Sequence, residues 1–201
     1  LQVTLYHSEN GLDVTLPNRP AELALTESYG MNLFNISRFN LGASQHTLTY
    51  GSDYFRDENR YKKTGDSRSE FAINHGVYLQ DRMSYGPVRL SAGLRYDRYY
   101  SRLDNQYRNA GNGWSPNLSG EWDVLTGQQQ VTLFAGYGES LRGSRLNQAY
   151  WLSKYPRPGD GNSFELGKNG KIKPERAILQ EAGVRWHSED LFTANDYVGL
   201  E

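Results

Sequence analysis

The residues best suited to chemistry lie in a basic and aromatic stretch between positions 142 and 176. Eight lysines and arginines stand there against three acids, which gives the stretch a net charge of +5. Guanidinium groups pair with carboxylate or catecholate oxygens, and aromatic rings stack on planar ligands. We therefore predict ligand binding by Arg145, Tyr150, Trp151, Tyr155 and Arg157. The alternative is an exposed surface loop with scattered charges.

A second set of charges occupies alternate positions of segments that have the pattern of β-strands. Alternate strand residues share a face, so these side chains should lie together on one polar face. They could mark a substrate path, but we expect them mainly to pair with one another, as polar interiors of wide barrels do. The set comprises Arg89, Arg95, Asp97, Glu121, Asp123, Glu181 and Arg185.

Signals for catalysis, metal binding and nucleic-acid binding are weak. The four histidines, His7, His46, His75 and His187, fall on separate segments without a spacing such as His-Glu-x-x-His, so no metal site is predicted. No Ser/His/Asp set converges, and the nearest match to Gly-x-Ser-x-Gly ends in Arg142. No catalytic residue is predicted, and a net charge of −1 disfavours nucleic acid.

The elements that would position these residues are alternating strands. Residues 88–100, 113–124 and 131–138 alternate most clearly, and in the first run Val88, Leu90 and Leu94 oppose Arg89 and Arg95. Strands of roughly 10 residues with one apolar face, aromatics near their ends and short turns on one side only are typical of a transmembrane β-barrel. The fold class is therefore predicted to be all-β, an antiparallel transmembrane β-barrel.

The same reading along the whole chain predicts nine strands. Short turns fall at 41–44, 84–87 and 125–128, and longer loops at 10–20, 57–70, 102–112 and 142–174. Asn10-Gly11 and the prolines that follow should end the first ladder, and the charged run 57–70 should be a solvated loop. The strands are predicted at 1–7, 27–40, 46–56, 71–83, 88–100, 113–124, 131–138, 175–187 and 191–198.

Composition agrees with this class. The chain has 201 residues, no cysteine, 15 tyrosines and 21 glycines, and its mean hydropathy is −0.76. No 18-residue apolar run is present, which excludes a membrane-spanning helix. Low hydropathy remains compatible with a membrane barrel, because only every second strand residue faces lipid.

Nine is an odd number, whereas single-chain bacterial barrels have an even number of strands. An unpaired strand edge in hydrocarbon also costs several kcal/mol per backbone group. We therefore expect residues 1–201 to be a fragment of one larger barrel domain, with termini that are processed, cut or internal.

Several motifs resemble those of one family. They are Gly76-Val-Tyr-Leu-Gln-Asp81, Ala92-Gly-Leu-Arg-Tyr-Asp97, Leu133-Phe-Ala-Gly-Tyr-Gly-Glu-Ser-Leu-Arg-Gly143, Ile172-Lys-Pro-Glu-Arg-Ala177 and Glu181-Ala-Gly-Val-Arg185. In this order they resemble the barrel of TonB-dependent outer-membrane receptors, and the likeness spans about residues 29 to 187. Among its branches, the ferric-siderophore and haem receptors are the most similar.

The resemblance implies a barrel of about 22 strands with a plugged lumen, so about 13 strands would lie outside this chain. It also implies a plug domain, absent from this chain, with which the polar-face charges would pair. The implied location is the outer membrane of a Gram-negative bacterium. The implied partners are the TonB complex, an iron chelate, outer-membrane lipid and lipopolysaccharide.

The resemblance further suggests the cargo, with no resident cofactor. Residues 140–143 lie where haem receptors carry a Phe-Arg-Ala-Pro-like box, and residues 171–177 where they carry an Asn-Pro-Asn-Leu-like box. Both segments depart from those patterns, and residues 143–170 contain no histidine. A ferric siderophore, which is usually anionic, suits the basic stretch better than haem.

Two other classes remain open at this stage. A small complete barrel acting as an outer-membrane hydrolase would need an even strand number and a His/Asp/Ser cluster at the loop rim. A soluble β-sandwich would need the apolar faces to pack against a second layer. The deciding side chains are Val88, Leu90, Ala92, Leu94, Leu133 and Ala135.

Overall fold

The computed structural model describes residues 1–15, 17, 21–103, 107–142, 175–189 and 197–200. These residues form one antiparallel sheet of nine strands in chain order, in which each strand pairs with the next. The described strands are β1 (Gln2–Val14), β2 (Glu22–Leu41), β3 (Ser44–Lys63), β4 (Asp66–Tyr85), β5 (Val88–Leu103), β6 (Tyr107–Leu125), β7 (Gln129–Arg142), β8 (Glu175–Glu189) and β9 (Tyr197–Leu200).

Most strands are longer than the sequence predicts. β2, β3 and β4 have 20 residues each, which at roughly 3.4 Å per residue is about twice the thickness of a hydrocarbon core. Asn10-Gly11 does not end β1, since these residues pair with Thr26 and Leu25. The predicted loops 57–70 and 102–112 are also wrong over most of their length, because both runs are largely strand. These runs have polar residues on both faces, so their sequence shows no alternation of apolar and polar residues, although their backbones are paired with the neighbouring strands.

Glycine closes the tight turns. Gly42, Gly86 and Gly127 have φ values of 60°, 53° and 134° in the turns β2–β3, β4–β5 and β6–β7, in the region that favours glycine. These three predicted turns are confirmed. At the opposite end, however, Thr64 and Gly65 join β3 to β4 in two residues, with φ 79° at Gly65. The prediction of short turns on one side only is therefore wrong at this hairpin.

The two faces of the sheet differ in chemistry. Cross-strand pairs such as Leu79↔Leu94 and Ala92↔Leu118 place the predicted apolar positions on one face. Leu90, Ala92, Leu94, Leu133 and Ala135 are exposed there, and Val88 is half-buried. In the described part of the chain no second layer covers them, so the sandwich alternative is wrong. We call this the outer face.

Buried side chains gather on the opposite face, which we call the concave face. Burial on one side of a single sheet follows when the sheet curls and brings those side chains together. The buried residues on this face are Ala24, Asp53, Asn59, Tyr61, Asp97, Tyr99, Ser115 and Thr132. Most of them are polar, which is the arrangement of a barrel wall rather than of a globular core.

The outer face carries an apolar belt, defined on β5 by the side chains from Val88 to Tyr96. The eight steps from Val88 to Tyr96 span about 27 Å along the strand, of the same order as the roughly 25 Å height of the apolar band of outer-membrane barrels. Tyr96 and Trp114 border the belt at one end, with ring centroids 4.7 Å apart, and Tyr85 and Trp122 lie at the turn end. No helix among the described residues is long and apolar enough to cross a membrane.

The sheet does not close on itself within the described residues. β1 pairs with β2, β9 pairs with β8, and the two end strands do not pair with each other. The structure is therefore a partial barrel, as the odd strand number predicts.

Candidate functional site

The predicted ligand-binding residues, Arg145, Tyr150, Trp151, Tyr155 and Arg157, lie outside the described residues. Their role stays a prediction. The candidate site that the structure does describe is the charged part of the concave face, formed by β3 to β8.

The most buried ion-pair network on the concave face centres on Arg95 of β5. Its Nη1 and Nη2 donate to Asp53 at 2.6 and 2.9 Å, and Nε and Nη2 donate to Asp97 at 2.8 and 2.6 Å. Asp53 is 5% exposed and Asp97 4%. One guanidinium therefore pairs with two buried carboxylates from different strands, which ties β3 to β5 across β4.

Gly76 of β4 makes room for this crossing. A Cβ on Gly76 would lie 2.0 Å from Arg95 Nη2 and 2.8 Å from Asp97 Oδ1. Arg95 can reach Asp53 because the strand between them has no side chain at this position. Its guanidinium also lies 5.8 Å from the centre of the Tyr78 ring.

A second network lies nearer the turn end and centres on Arg89. Its Nε donates to Glu121 at 2.8 Å, its Nη2 donates to Asp123 Oδ1 at 2.7 Å, and its Nη1 also donates to Asp123. Thr132 Oγ1 donates to the same carboxylate at 2.7 Å, and Arg185 Nη1 lies 3.8 Å from Glu121. This network joins β5, β6, β7 and β8.

Beside the Arg89 network the concave face holds a groove of about 470 Å³. Arg82 lines it and makes no hydrogen bond or ion pair within the described residues. Three arginines and two glutamates contribute to the lining, so the groove carries a small positive excess. The lining residues whose side chains lie on the concave face are Gln80, Arg82, Arg89, Ser91, Ser119, Glu121, Phe134, Glu181 and Arg185.

Pairing among the polar-face charges is confirmed for six of the seven predicted residues. Glu181 instead lies against Gly136 in the groove, where a Cβ on that glycine would be 2.9 Å from Glu181 Oε1. Sequence reasoning missed Asp53, the second partner of Arg95. The signal was available, because Gly51, Asp53 and Phe55 alternate with Tyr50, Ser52 and Tyr54.

A chain of Ser, His and Asp side chains, absent from the sequence prediction, lies on the outer face at the turn end. His46 Nδ1 is 2.7 Å from Asp81 Oδ2, and its Nε2 is 2.9 Å from Ser44 Oγ. Ser44 also donates to the Leu41 carbonyl at 2.7 Å, and the His46 ring stacks on Phe39. The chain is on the opposite surface from the groove and ties the turn to β4.

Past the belt, the outer face of β2 and β3 becomes charged. Arg60 Nε donates to Glu58 at 2.7 Å, and Arg60 Nη2 lies 3.1 Å from Glu27. The Arg60 hydrogen bond holds the pKa of Glu58 below its ordinary value. Tyr29 donates to the other Glu27 oxygen at 3.1 Å. These pairs are solvent-facing extensions of strands that continue beyond the apolar band.

The fold and its charged concave face define a class, the wall of a large outer-membrane-type barrel. The family model described as "TonB dependent receptor-like, beta-barrel" matches residues 2–197. The chain belongs to this family. A search of curated proteins found no match.

Solved structures of similar fold are consistent with a barrel wall of this kind. The Serratia marcescens hemophore receptor HasR, solved with HasA and heme, is 18% identical with a TM-score of 0.72, over 98% of this chain and 35% of that one. The ferric citrate transporter FecA is 16% identical with a TM-score of 0.66, over 92% and 29%. The copper transporter OprC is 20% identical with a TM-score of 0.65, over 98% and 34%.

The chain thus spans about a third of the length of each of these structures. The family and these neighbours are transporters and receptors, not enzymes. This excludes the hydrolase alternative.

Proposed function

We propose that this chain is part of the barrel of an outer-membrane receptor that imports an iron chelate, a ferric siderophore in preference to haem. The observation that carries the proposal is the two-faced sheet. It presents an apolar belt outward and two charged networks, centred on Arg95 and Arg89, inward, which is the wall that a water-filled, plugged barrel requires.

Charge supports an anionic cargo. The groove contains Arg82, a cation without a partner in the described part of the chain, beside the paired Arg89 and Arg185. The basic stretch 142–176 adds a net charge of +5. A siderophore whose carboxylate or catecholate oxygens surround the iron would meet complementary donors at both places.

The family implies the remaining parts. A plug domain outside this chain would fill the lumen and meet the concave face, and TonB would drive its displacement. The apolar belt would contact outer-membrane lipid, and the charged outer face beyond it would contact lipopolysaccharide. The implied location is the outer membrane of a Gram-negative bacterium, where the family functions.

The test is growth of a strain lacking the full-length receptor under iron limitation. We expect growth to fail on one ferric siderophore and to continue on ferric citrate, other siderophores and haem. Growth lost on haem alone would reassign the cargo, and growth unchanged on every chelate would overturn the transport proposal.

The loop residues can be tested in the same strain. Trp151→Ala and Arg157→Ala should weaken uptake of the identified chelate at least tenfold, because a stacked ring or a charge-assisted pair contributes about 1.5–3 kcal/mol. Trp114→Ala, at the lipid border of the belt, is the matched aromatic control. Equal uptake by all three variants would remove residues 151 and 157 from the site.

A further inference from the structure

Three potential metal ligands converge on the outer face where β1 pairs with β2. One ligand atom each of His7, Glu9 and Glu27 lies within 4.8 Å of the other two. The register brings them together, because Glu9 is directly opposite Glu27 and His7 is opposite Tyr29. All three lie on the outer face, where His7 and Glu9 are exposed and Glu27 is half-buried.

Two of these ligands are held in place by groups behind them. The His7 ring stacks on Tyr29, with centroids 4.7 Å apart and planes 18° from parallel. The Tyr29 hydroxyl donates to Glu27 Oε1, and Arg60 lies 3.1 Å from Glu27 Oε2. Metal ligands are commonly oriented by such outer partners.

The charges at this point of the sheet do not balance. Glu9, Glu27 and Glu58 form a row across β1, β2 and β3. Arg56 and Arg60 pair with Glu58 and Glu27, whereas Glu9 makes no hydrogen bond or ion pair within the described residues. Like charges directly opposite each other destabilise a strand pair, so a cation bound between Glu9 and Glu27 would stabilise the pairing of β1 with β2.

We propose that His7, Glu9 and Glu27 bind a divalent transition-metal cation of the Zn²⁺ class. An imidazole with carboxylates suits Zn²⁺, whereas Mg²⁺ and Ca²⁺ prefer sites built from oxygen alone. Three protein ligands leave a coordination position for water. The site lies on the opposite surface from the groove, so it is not a station for cargo. Its role is to clamp β1 to β2.

The experiment titrates Zn²⁺ into the full-length protein in detergent by calorimetry, with Ca²⁺ and Mg²⁺ in parallel. We expect one Zn²⁺ site, with affinity at least tenfold weaker in His7→Ala and Glu9→Gln. Zn²⁺ should also raise the Tm of the wild type, because it binds the folded state, and should do so less in both variants. His75→Ala, an outer-face histidine bonded to Ser52, is the matched control and should bind as wild type.

Heat-modifiability on gels without metal establishes that each variant is folded before titration. The proposal is overturned if the wild type binds no Zn²⁺, if both variants bind it as tightly as wild type, or if Ca²⁺ binds more tightly than Zn²⁺. None of these readouts involves iron uptake, so this site and the transport proposal succeed or fail separately.

Discussion

Single residues on the concave face each fix several strands. Arg95 is the clearest case, since its side chain is 31% exposed while both carboxylates that it pairs with are below 8%. A buried charge that loses its partner is strongly destabilising, because its desolvation is then no longer offset. The stability of this wall should therefore depend on a few charged side chains more than on apolar packing.

The first prediction concerns Arg95→Met. Removing the guanidinium leaves Asp53 and Asp97 without their shared cation, and we expect a loss of about 3 kcal/mol in the free energy of unfolding. Urea unfolding in detergent micelles measures it. Arg98→Met is the control, an exposed arginine on the outer face of the same strand, and should change stability by less than about 0.5 kcal/mol. Adding Asp53→Asn to Arg95→Met should recover part of the loss.

The second prediction concerns Gly76→Ala. The new methyl would overlap an Arg95 guanidinium that two carboxylates hold in place, so we expect destabilisation of about 1–3 kcal/mol. Gly138→Ala on β7 is the control, since its nearest neighbour would be 4.0 Å away. A Gly76 variant as stable as the Gly138 variant would show that Arg95 can move aside.

At the scale of elements, hydropathy predicted strand faces well and strand ends poorly. The faces of β5, β6 and β7 follow from one apolar and one polar side chain in alternation. The extensions of β3 and β4 over residues 57–63 and 66–70 escaped prediction, because both faces are polar there and no alternation remains visible. Backbone pairing with a neighbouring strand holds them, and that information is not local to the sequence.

The Glu58–Arg60 pair on the extension of β3 should make the stability of the folded protein depend on pH. Arg60 holds the pKa of Glu58 below its ordinary value of 4.5, so the folded state binds this proton less readily than the unfolded state. The contribution is present above pH 4.5 and is lost as the pH falls through the lowered pKa.

Glu58→Gln tests this contribution. At pH 7 the variant should be less stable by at most about 1 kcal/mol, because Arg60 is largely solvent-exposed. The difference from wild type should shrink as the pH falls below 4.5. Unfolding curves of both proteins at several pH values measure it, and a difference that grows on acidification would contradict the assignment.

At the scale of the whole molecule, the sequence predicted the fold class, and the structure shows which side chains of different strands contact one another. Alternation and the ordered motifs were sufficient to predict a partial membrane barrel. They could not predict that Arg95 crosses β4 to Asp53, that Ser44 and His46 meet Asp81, or that His7 and Glu9 meet Glu27. Each of these contacts depends on strand register, which is set by the turns and by pairing over the whole sheet.

The apolar belt leads to a prediction about the stability of the whole molecule. Leu94→Arg would place a charge inside the apolar belt, which we propose to face lipid, and we expect a cost of about 2 kcal/mol in liposomes, between the values for the bilayer midplane and its interfaces. Ser119→Arg places the same side chain in the groove on the concave face, and should cost less than about 1 kcal/mol. The measurement is urea unfolding in liposomes, with folded protein identified by its gel mobility. Equal costs for the two arginines would show that the outer face does not meet lipid.

The hairpin at Thr64 and Gly65 has a consequence for how a ligand arrives. The two strands that it joins have 20 residues each and are connected by only two residues. This part of the sheet therefore ends in a tight hairpin and not in a long loop. If the chain is part of a receptor, as proposed above, this hairpin would line one side of the entrance without a loop long enough to fold over a ligand.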